Sequence, residues 1–250
     1  MPLHRRIYQF LIIYAIGLAC LLLIKSGLDL SDYVIPGPVD IWHTATDEFG
    51  RYFFDVLNTL AVAVVGQVIS IFIALLVGIA GRQATWFGSF IKVAAYNVQA
   101  YPIVAIAPII FILLGDGLLT RLLIAAMICY FPVLLSVIGI MAEPVVDIEH
   151  FYRVTGRMRW QLEVKIRAFE NLNKLTTVIA GSATLAMAGT IVAEFIAANA
   201  GIGYSIRVAL YQSNLAKILV ALFLIGITLS VYQGLLELTG YLVKKSWAGR

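Results

Sequence analysis

Residues 56–80, VLNTLAVAVVGQVISIFIALLVGIA, decide the fold class of this chain. The stretch contains no charged side chain, and its few polar residues are uncharged. A helix needs about 20 predominantly apolar residues to cross the hydrocarbon core of a bilayer. The stretch therefore predicts a membrane-spanning helix.

The same signal recurs on both sides of this stretch. Four further apolar runs cover residues 8–24, 122–141, 175–198 and 216–243. Another apolar run, between Arg82 and Gly117, is interrupted by Pro102 and Pro108, which break the hydrogen-bond ladder of a helix. We therefore predict an all-α integral membrane protein with about six transmembrane helices. Residues 1–250 form one transmembrane domain in this interpretation.

The composition agrees with a membrane protein and excludes other classes. Hydrophobic residues make up 61% of the chain and charged residues 13%, which is more apolar surface than a soluble domain of this length can bury. The formal net charge is only +4 and the basic residues form no long run, so nucleic acid is not an expected partner. Cys20 and Cys129 lie inside apolar runs and are interpreted as small buried hydrophobes.

The distribution of charge predicts the orientation of the chain. Lysine and arginine favour the cytoplasmic side of short loops. They concentrate in three regions: the N-terminal end (Arg5, Arg6), the stretch 142–174, and the tail (Lys244, Lys245, Arg250). With six spans these regions share one side, here called the basic side, and both termini are predicted to be cytoplasmic. The opposite, acidic side receives Asp29, Asp32, Asp40, Asp47, Glu48, Asp55 and Asp116.

Small residues recur at helical spacing on two of the predicted spans. One set is Gly66, Ser70, Ala74 and Gly78; the other is Ser182, Ala186, Gly189, Ala193 and Ala197. Small side chains allow two helix backbones to approach closely in a membrane. The faces are interpreted as packing surfaces within one subunit, with packing against a second subunit as the alternative.

A few polar residues fall at membrane depth, where they suggest a transport pathway. Asn97, Gln99 and Tyr101 precede Pro102 in the broken segment, which also contains Pro108, and Glu194 lies near the end of the fifth span. These residues are predicted to line the translocation path or its gate. The alternatives are a kinked packing helix for the broken segment and, for Glu194, a carboxylate near the interface that accepts hydrogen bonds from nearby backbone.

The charged stretch 142–174 predicts a short amphipathic helix. Arg159, Glu163 and Arg167 are four residues apart, as are Met158, Leu162 and Ile166, so a charged stripe and an apolar stripe share the segment. Such a helix either lies on lipid headgroups, anchored by Trp160, or inserts into a groove of a partner protein. Amphipathicity alone leaves both interpretations open.

The sequence contains no recognisable catalytic centre. It lacks the phosphate-binding pattern G-x-x-x-x-G-K-S/T, and its histidines, His4, His43 and His150, are scattered. No catalytic residue, metal site or bound cofactor is predicted. Energy for transport then comes from a separate ATPase subunit or from an ion gradient, and an ATPase-independent secondary transporter remains the rival class. Such transporters often show two inverted halves, whereas this sequence shows no internal repeat.

Several motifs, in order along the chain, resemble the permease subunits of binding-protein-dependent ABC importers. The first is the proline motif at residues 35–39, IPGPV. Pro102, Ala105 and Pro108 resemble P-x-x-A-x-x-P, and residues 129–133, CYFPV, resemble F-F-P-I. Residues 156–162, GRMRWQL, resemble G-A-S-R-W-Q-L of the cytoplasmic coupling loop. Residues 193–195, AEF, and 201–204, GIGY, resemble the family's A-E and G-L-G-Y motifs.

This resemblance implies a type I importer permease in the bacterial inner membrane. Its coupling residues to the ATPase subunits would be Gly156, Arg157, Met158, Arg159, Trp160, Leu162 and Ile166. The implied partners are ATP-binding subunits, which bind the ATP, a second permease, an extracytoplasmic solute-binding protein and the lipid bilayer.

The chain departs from the family pattern in the coupling loop. His150, Phe151 and Tyr152 stand where the loop usually opens with E-A-A, and Phe169 and Asn173 replace two prolines. Without proline the coupling helix is expected to run further towards the fifth span. We hypothesise that this subunit pairs with a more conventional permease in a heterodimer, with a homodimer as the alternative.

The resemblance also narrows the class of solute that this chain is expected to transport. The nearest branch looks like the nitrate, sulfonate and taurine importers with their pyrimidine-precursor and riboflavin relatives. Ala105, Ala107 and Pro108, with CYFP at residues 129–132, look nearest to the pyrimidine-precursor members. The expected cargo is a small organic solute such as a pyrimidine-like heterocycle, and the alternative is an anion of the nitrate or taurine type.

Overall fold

The computed structural model describes residues 3–81, 86–99, 103–143, 145–156 and 160–248. Within these ranges the chain is helical, with no strand. The helices are α1 (Leu3–Gly27), α2 (Pro38–Ala80), α3 (Trp86–Gln99), α4 (Ile103–Leu114), α5 (Leu118–Ala142), α6 (Val146–Thr155), α7 (Trp160–Glu170), α8 (Leu172–Ile196), α9 (Ile202–Tyr211) and α10 (Leu215–Ala248).

Five of the described helices are long and apolar enough to cross a membrane: α1, α2, α5, α8 and α10. They correspond to the five uninterrupted runs of the sequence. The broken run is divided between α3 and α4, which have 14 and 12 residues. Pro108 lies inside α4, so that proline is accommodated within a helix.

The helix directions show that the α3–α4 segment supplies a crossing. Gly66 of α2 lies against Ala125 of α5, and twelve residues later Gly78 lies against Val137, so α2 and α5 are parallel. Two consecutive parallel spans require the chain to return across the membrane between them. The α3–α4 segment makes that return, and with the five long helices it gives the six crossings predicted.

The three basic regions lie at one end of the helix bundle, as their charge predicted. Arg6 of α1 pairs with Glu237 of α10. Lys244 of α10 donates a hydrogen bond to Asn173 at the start of α8, at 3.2 Å. Lys174 of α8 pairs with Glu143 at the end of α5. These contacts bring the N-terminal end, the tail and the stretch 142–174 together on the basic side.

The two small-residue faces pack inside this chain. All four residues of the α2 face, Gly66 to Gly78, are buried, and so are Ser182, Ala186, Gly189 and Ala193 of α8. A Cβ atom on Gly66 would lie 2.9 Å from the Cβ of Ala125, closer than side-chain carbons approach one another. The interpretation as packing within one subunit is therefore confirmed, and α2, α5 and α8 form the centre of the bundle.

A buried polar cluster joins α2, α8 and α10 inside the bundle. The amide of Gln67 donates to Ser182 Oγ at 2.9 Å and to the carbonyl oxygen of Ile179 at 2.8 Å. The Tyr232 hydroxyl donates to Gln67 Oε1 at 2.6 Å. Hydrocarbon offers no water to satisfy such groups, so they must bind one another. The cluster therefore fixes the positions of the three helices relative to one another along the bundle axis.

We predict that Gly66→Ala destabilises the protein, because the added methyl group forces α2 away from α5. Overpacking of this kind typically costs about 1–3 kcal/mol, which lowers the thermal midpoint measured in mild detergent. Gly50→Ala is the matched control on the same helix, since nothing lies within 4 Å of a Cβ there. A thermal midpoint for Gly66→Ala equal to that of Gly50→Ala would contradict the close approach of the two helices.

Candidate functional site

The predicted pathway residues whose side chains the structure describes differ in exposure. Asn97 is exposed on α3, and Pro108 is exposed on α4. Gln99 is the last residue of α3, and Tyr101 and Pro102 lie outside the described residues. Glu194 lies near the end of α8 and is fully buried. That these residues line a path or gate stays a prediction.

Glu194 is held by hydrogen bonds from three separate elements. The Thr59 hydroxyl of α2 donates to Oε2 at 2.7 Å. The backbone N–H of Gly203, in α9, donates to the same oxygen at 3.1 Å. The guanidinium of Arg121, in α5, donates to Oε1 at 3.2 Å. One carboxylate thus ties α2, α5 and α9 to α8 on the acidic side of the membrane.

The glycines after Glu194 let the chain fold back over its carboxylate. Gly201 has φ +93°, a conformation that L side chains rarely adopt, and a Cβ there would collide with the Glu194 carboxyl group. A Cβ on Gly203 would collide with the carbonyl oxygen of Ile191. Between them, the N–H of Ile202 donates to Thr59 Oγ1 at 2.9 Å. The AEF and GIGY motifs therefore pack together and share one set of hydrogen bonds around Glu194.

Arg207 of α9 caps the C-terminal end of α8. Its guanidinium donates to the carbonyl oxygens of Phe195 (3.2 Å), Ile196 (2.9 Å) and Ala198 (2.7 Å). The last carbonyl groups of a helix have no partner within it and carry partial negative charge, which favours a cation there. Arg207 thus fixes α9 against the terminus of α8.

Arg121 is the functional residue that sequence reasoning missed. It directly precedes the predicted span 122–141, and no role was predicted for it. In the structure it lies inside α5, its side chain is only 12% exposed, and its Nε atom is buried with no hydrogen-bond partner among the described residues. Glu194 itself could have indicated that such a partner exists, because a carboxylate at membrane depth requires a cation or several hydrogen-bond donors.

The acidic side also carries an open depression between the α1–α2 connection and the α9–α10 turn. Its volume is about 260 Å³, and its lining exposes polar and apolar surface in nearly equal amounts. The lining residues are Asp32, Tyr33, Pro36, Asp40, Thr44, Gln212, Ser213, Asn214, Leu215 and Ala216. It is open rather than enclosed, whereas ligand sites bury most of their ligand.

The predicted amphipathic helix of the coupling loop is present as α7. Leu162 is 45% exposed and Trp160 is exposed beside it, whereas Val164 packs against the core and Ile166 is half-buried. Gly156 follows α6 with φ +72°. Arg157, Met158 and Arg159 lie outside the described residues. The preceding helix α6 was not predicted.

Polar contacts at Glu143 join α7 and α8 to the end of α5. The guanidinium of Arg167 donates to Glu163 at 3.2 Å, which confirms the predicted stripe, and also to the carbonyl oxygen of Glu143 at the end of α5. Lys174 of α8 pairs with the carboxylate of Glu143. A displacement of α7 is therefore expected to reach both α5 and α8.

Only Asn171 separates α7 from α8. Its N–H donates to the carbonyl oxygen of Arg167 at 3.1 Å, and its carbonyl oxygen accepts from the N–H of Leu175 at 2.9 Å. These two bonds bridge the junction, although the backbone of Asn171 itself is not helical (φ −101°, ψ 18°). Helix α7 runs through Phe169, where proline would lack the N–H that helical bonding uses, but it ends at Glu170 and does not continue as one helix into α8. Asn173 lies in the first turn of α8, where proline is tolerated.

Comparison with known proteins places this geometry among transport permeases. The family model described as "binding-protein-dependent transport system inner membrane component" matches residues 66–238. A riboflavin transport system permease protein of Chloroflexus aurantiacus is 32% identical over 224 residues, covering 85% of this chain and 82% of the relative. A formylaminopyrimidine transport permease protein of Halalkalibacterium halodurans is 22% identical over 200 residues, covering 78% of each chain.

We predict that Arg121→Ala and Glu194→Ala each destabilise the protein by about 3–5 kcal/mol, because each leaves the other group charged and buried. The double variant should be less destabilised than the sum of the two. Thermal unfolding of the four proteins in the same detergent measures this coupling.

Arg51→Ala is the control for the ion-pair prediction. Arg51 is 55% exposed, with carboxylate oxygens of Glu48 and Asp55 at 4.0 and 3.9 Å, and exposed pairs contribute less than about 1 kcal/mol. Strict additivity of the Arg121 and Glu194 substitutions would show that the two groups do not interact in the membrane.

Proposed function

We propose that this chain, which belongs to the family of binding-protein-dependent transport system inner membrane components, carries a heterocyclic solute of the riboflavin or pyrimidine-precursor class. It is a multi-pass permease subunit of an ABC importer and not an enzyme. The observation that carries the solute class is the 32% identity to a riboflavin permease over most of both chains.

The charges of the described spans also favour a weakly charged solute. Arg121 is paired with Glu194, and Arg6 is paired with Glu237. An arginine already bound to a carboxylate is poorly placed to hold an anionic cargo such as nitrate or taurine. Membership of a binding-protein-dependent family likewise favours the importer over an ATPase-independent secondary transporter.

Uptake by cells of the source organism tests the solute class. We expect deletion of the gene for this chain to lower uptake of radiolabelled riboflavin or of a formylaminopyrimidine, with recovery on complementation. Uptake of nitrate and taurine should be unchanged. Loss of nitrate or taurine uptake with intact uptake of both ring compounds would assign this permease to the anion branch instead.

Permeases of this family work with ATP-binding subunits and a solute-binding protein, and we propose how this chain contacts them. Leu162 and Trp160 on α7 form the surface for an ATPase groove on the basic side. Arg167 and Lys174 pass the closing motion of the ATPases to α5 and α8 through Glu143. The depression on the acidic side is then available to a side chain of the docked binding protein.

We predict that Leu162→Asp weakens the contact with the ATPase subunits. Burying a leucine side chain is worth about 1.5–3 kcal/mol, so ATPase co-purification and solute-stimulated hydrolysis should fall by about tenfold or more. Gln161→Asp places the same charge on the adjacent exposed residue of α7 and should leave both within about twofold, as is usual for surface substitutions. Equal losses in the two variants would argue against an apolar docking surface at Leu162.

We further propose that the second permease of the assembly is a different chain. The support is the coupling loop, where Phe169 and Asn173 replace prolines and α7 continues almost directly into α8. A homodimer would present two such modified loops to the ATPase pair, whereas a heterodimer retains one conventional loop.

Co-expression of two differently tagged copies of this chain tests the heterodimer. Purification through one tag, followed by native mass spectrometry, should yield a complex with two ATPases, a second permease of different mass, and none of the other tagged copy. Recovery of both tags in one complex would establish the homodimer. That result would leave the importer assignment unchanged, because the assignment rests on the family match and not on the identity of the second permease.

A further inference from the structure

Helix α8 has an exposed side that differs from that of the other membrane-spanning helices. Its exposed residues within the predicted span 175–198 are Thr177, Gly181, Thr184 and Ala188, here called the open face. They are separated by four, three and four residues, so they form one stripe along the helix. The structure describes every residue of α8, and no large apolar side chain of this helix is exposed.

Other long helices expose large apolar side chains instead. Examples are Ile13 of α1, Phe72 of α2 and Leu238 of α10. Side chains of this kind are the ones that favour insertion into the hydrocarbon core. The exposed sides of these three helices therefore have the composition of a lipid contact, whereas the open face of α8 presents two hydroxyl groups and two small residues.

Polar groups of α10 and α1 adjoin the open face. The amide of Gln233 in α10 donates to Thr184 Oγ1 at 2.7 Å and to the carbonyl oxygen of Ala180 at 3.2 Å. Gln233 Oε1 accepts from the guanidinium of Arg6 in α1 at 2.8 Å, and Arg6 also pairs with Glu237 of α10. A chain of polar contacts therefore connects a hydroxyl group of the open face to an ion pair.

This ion pair lies within the spanning part of α10 and is only partly enclosed by the chain. Glu237 precedes Lys244, at the basic end of α10, by seven residues, or about 10 Å of helix. The side chains of Arg6 and Glu237 are 24% and 20% exposed. Contact between a charged group and hydrocarbon is costly, so the exposed part of the pair is expected to meet water. Water on this side of α10 would also reach Thr184, because Gln233 touches both.

The stripe is open towards the basic side and closed towards the acidic side. It starts one turn after the exposed Asn173, at the basic end of α8, and stops at Ala188. Val192, one turn further, is half-buried, and residues 189–196 include no exposed side chain. Beyond them Arg207 of α9 caps the helix. The open face therefore has the form expected of one wall of a cavity that is entered from the cytoplasm.

We propose that the open face of α8, together with Gln233 of α10, lines the translocation path in its cytoplasm-facing state. Thr177 and Thr184 supply hydroxyl groups that both donate and accept hydrogen bonds, and Gln233 supplies a carboxamide. Groups of this kind suit the ring nitrogens and carbonyl oxygens of an uncharged heterocycle. The inference rests on the proposed transport function, but the location of the path does not depend on the class of solute.

A helix of the second permease is the competing occupant of the open face. Close helix packing is already the role of another side of α8, which buries Ser182, Ala186 and Gly189 against this chain. A dry contact with a second subunit would also remove water from the exposed part of the Arg6–Glu237 pair, and desolvating an ion pair is costly. An aqueous path meets both conditions.

Cysteine accessibility in the assembled transporter tests this proposal. The parent chain carries Cys20→Ala and retains Cys129, which is fully buried. Inside-out membrane vesicles containing Thr177→Cys or Thr184→Cys are treated with a permanently charged methanethiosulfonate, and the mass added to this chain is followed over time. We expect both variants to react at least about tenfold faster than Phe72→Cys on the exposed side of α2, because the reagent needs water and an ionised thiol.

Val192→Cys is the matched control, because it continues the stripe by one turn into the closed part of α8. It should react as slowly as Phe72→Cys, and labelling it as fast as Thr184→Cys would contradict a cavity that ends at Ala188. Co-purification of the ATPase subunits shows that each variant is assembled. Slow labelling of both threonine variants in assembled transporter, or a disulfide from Thr184→Cys to a second permease, would overturn the proposal. Since labelling needs no solute, either result would leave the solute class to the uptake experiment.

Discussion

The buried carboxylate of Glu194 is the interaction on which the acidic end of the bundle depends. Because hydrocarbon and protein interior provide no water, the charge has to be met by groups of the chain itself. Thr59, Arg121 and the N–H of Gly203 meet it, and each comes from a different helix. The positions of α2, α5 and α9 around the end of α8 follow from satisfying this one group.

Helix α8 connects that cluster to the opposite end of the molecule. It begins beside the coupling helix α7 and ends two residues after Glu194, and its small residues are buried against α2 and α5 along the way. Close packing of this kind transmits displacement, because helices in contact at Gly66 and Gly189 have no space to absorb it. The surface proposed to contact the ATPase, on α7, thus adjoins one end of α8, and the acidic-side cluster lies at the other end.

The sequence predicted the helical crossings well because hydropathy responds to the solvent around each segment. It placed the start of the second crossing near Val56, although α2 begins at Pro38, since hydropathy detects the hydrocarbon boundary rather than the end of a helix. The role of Arg121 was missed because its partner is distant in sequence, and pairing between distant residues is a property of the tertiary structure. The parallel arrangement of α2 and α5, by contrast, was implicit in the predicted return crossing between them.

The coupling loop shows both the strength and the limit of motif reasoning. The charge spacing predicted the contact between Glu163 and Arg167, and the missing prolines predicted the extension of α7 towards α8. Neither signal predicted α6 or the attachment of Arg167 to the end of α5. The single residue between α7 and α8 has a mechanical consequence. Hydrogen bonds on both sides of Asn171 bridge a non-helical backbone there, so part of a swing of α7 is expected to reach α8 as torque, turning Glu194 about the helix axis.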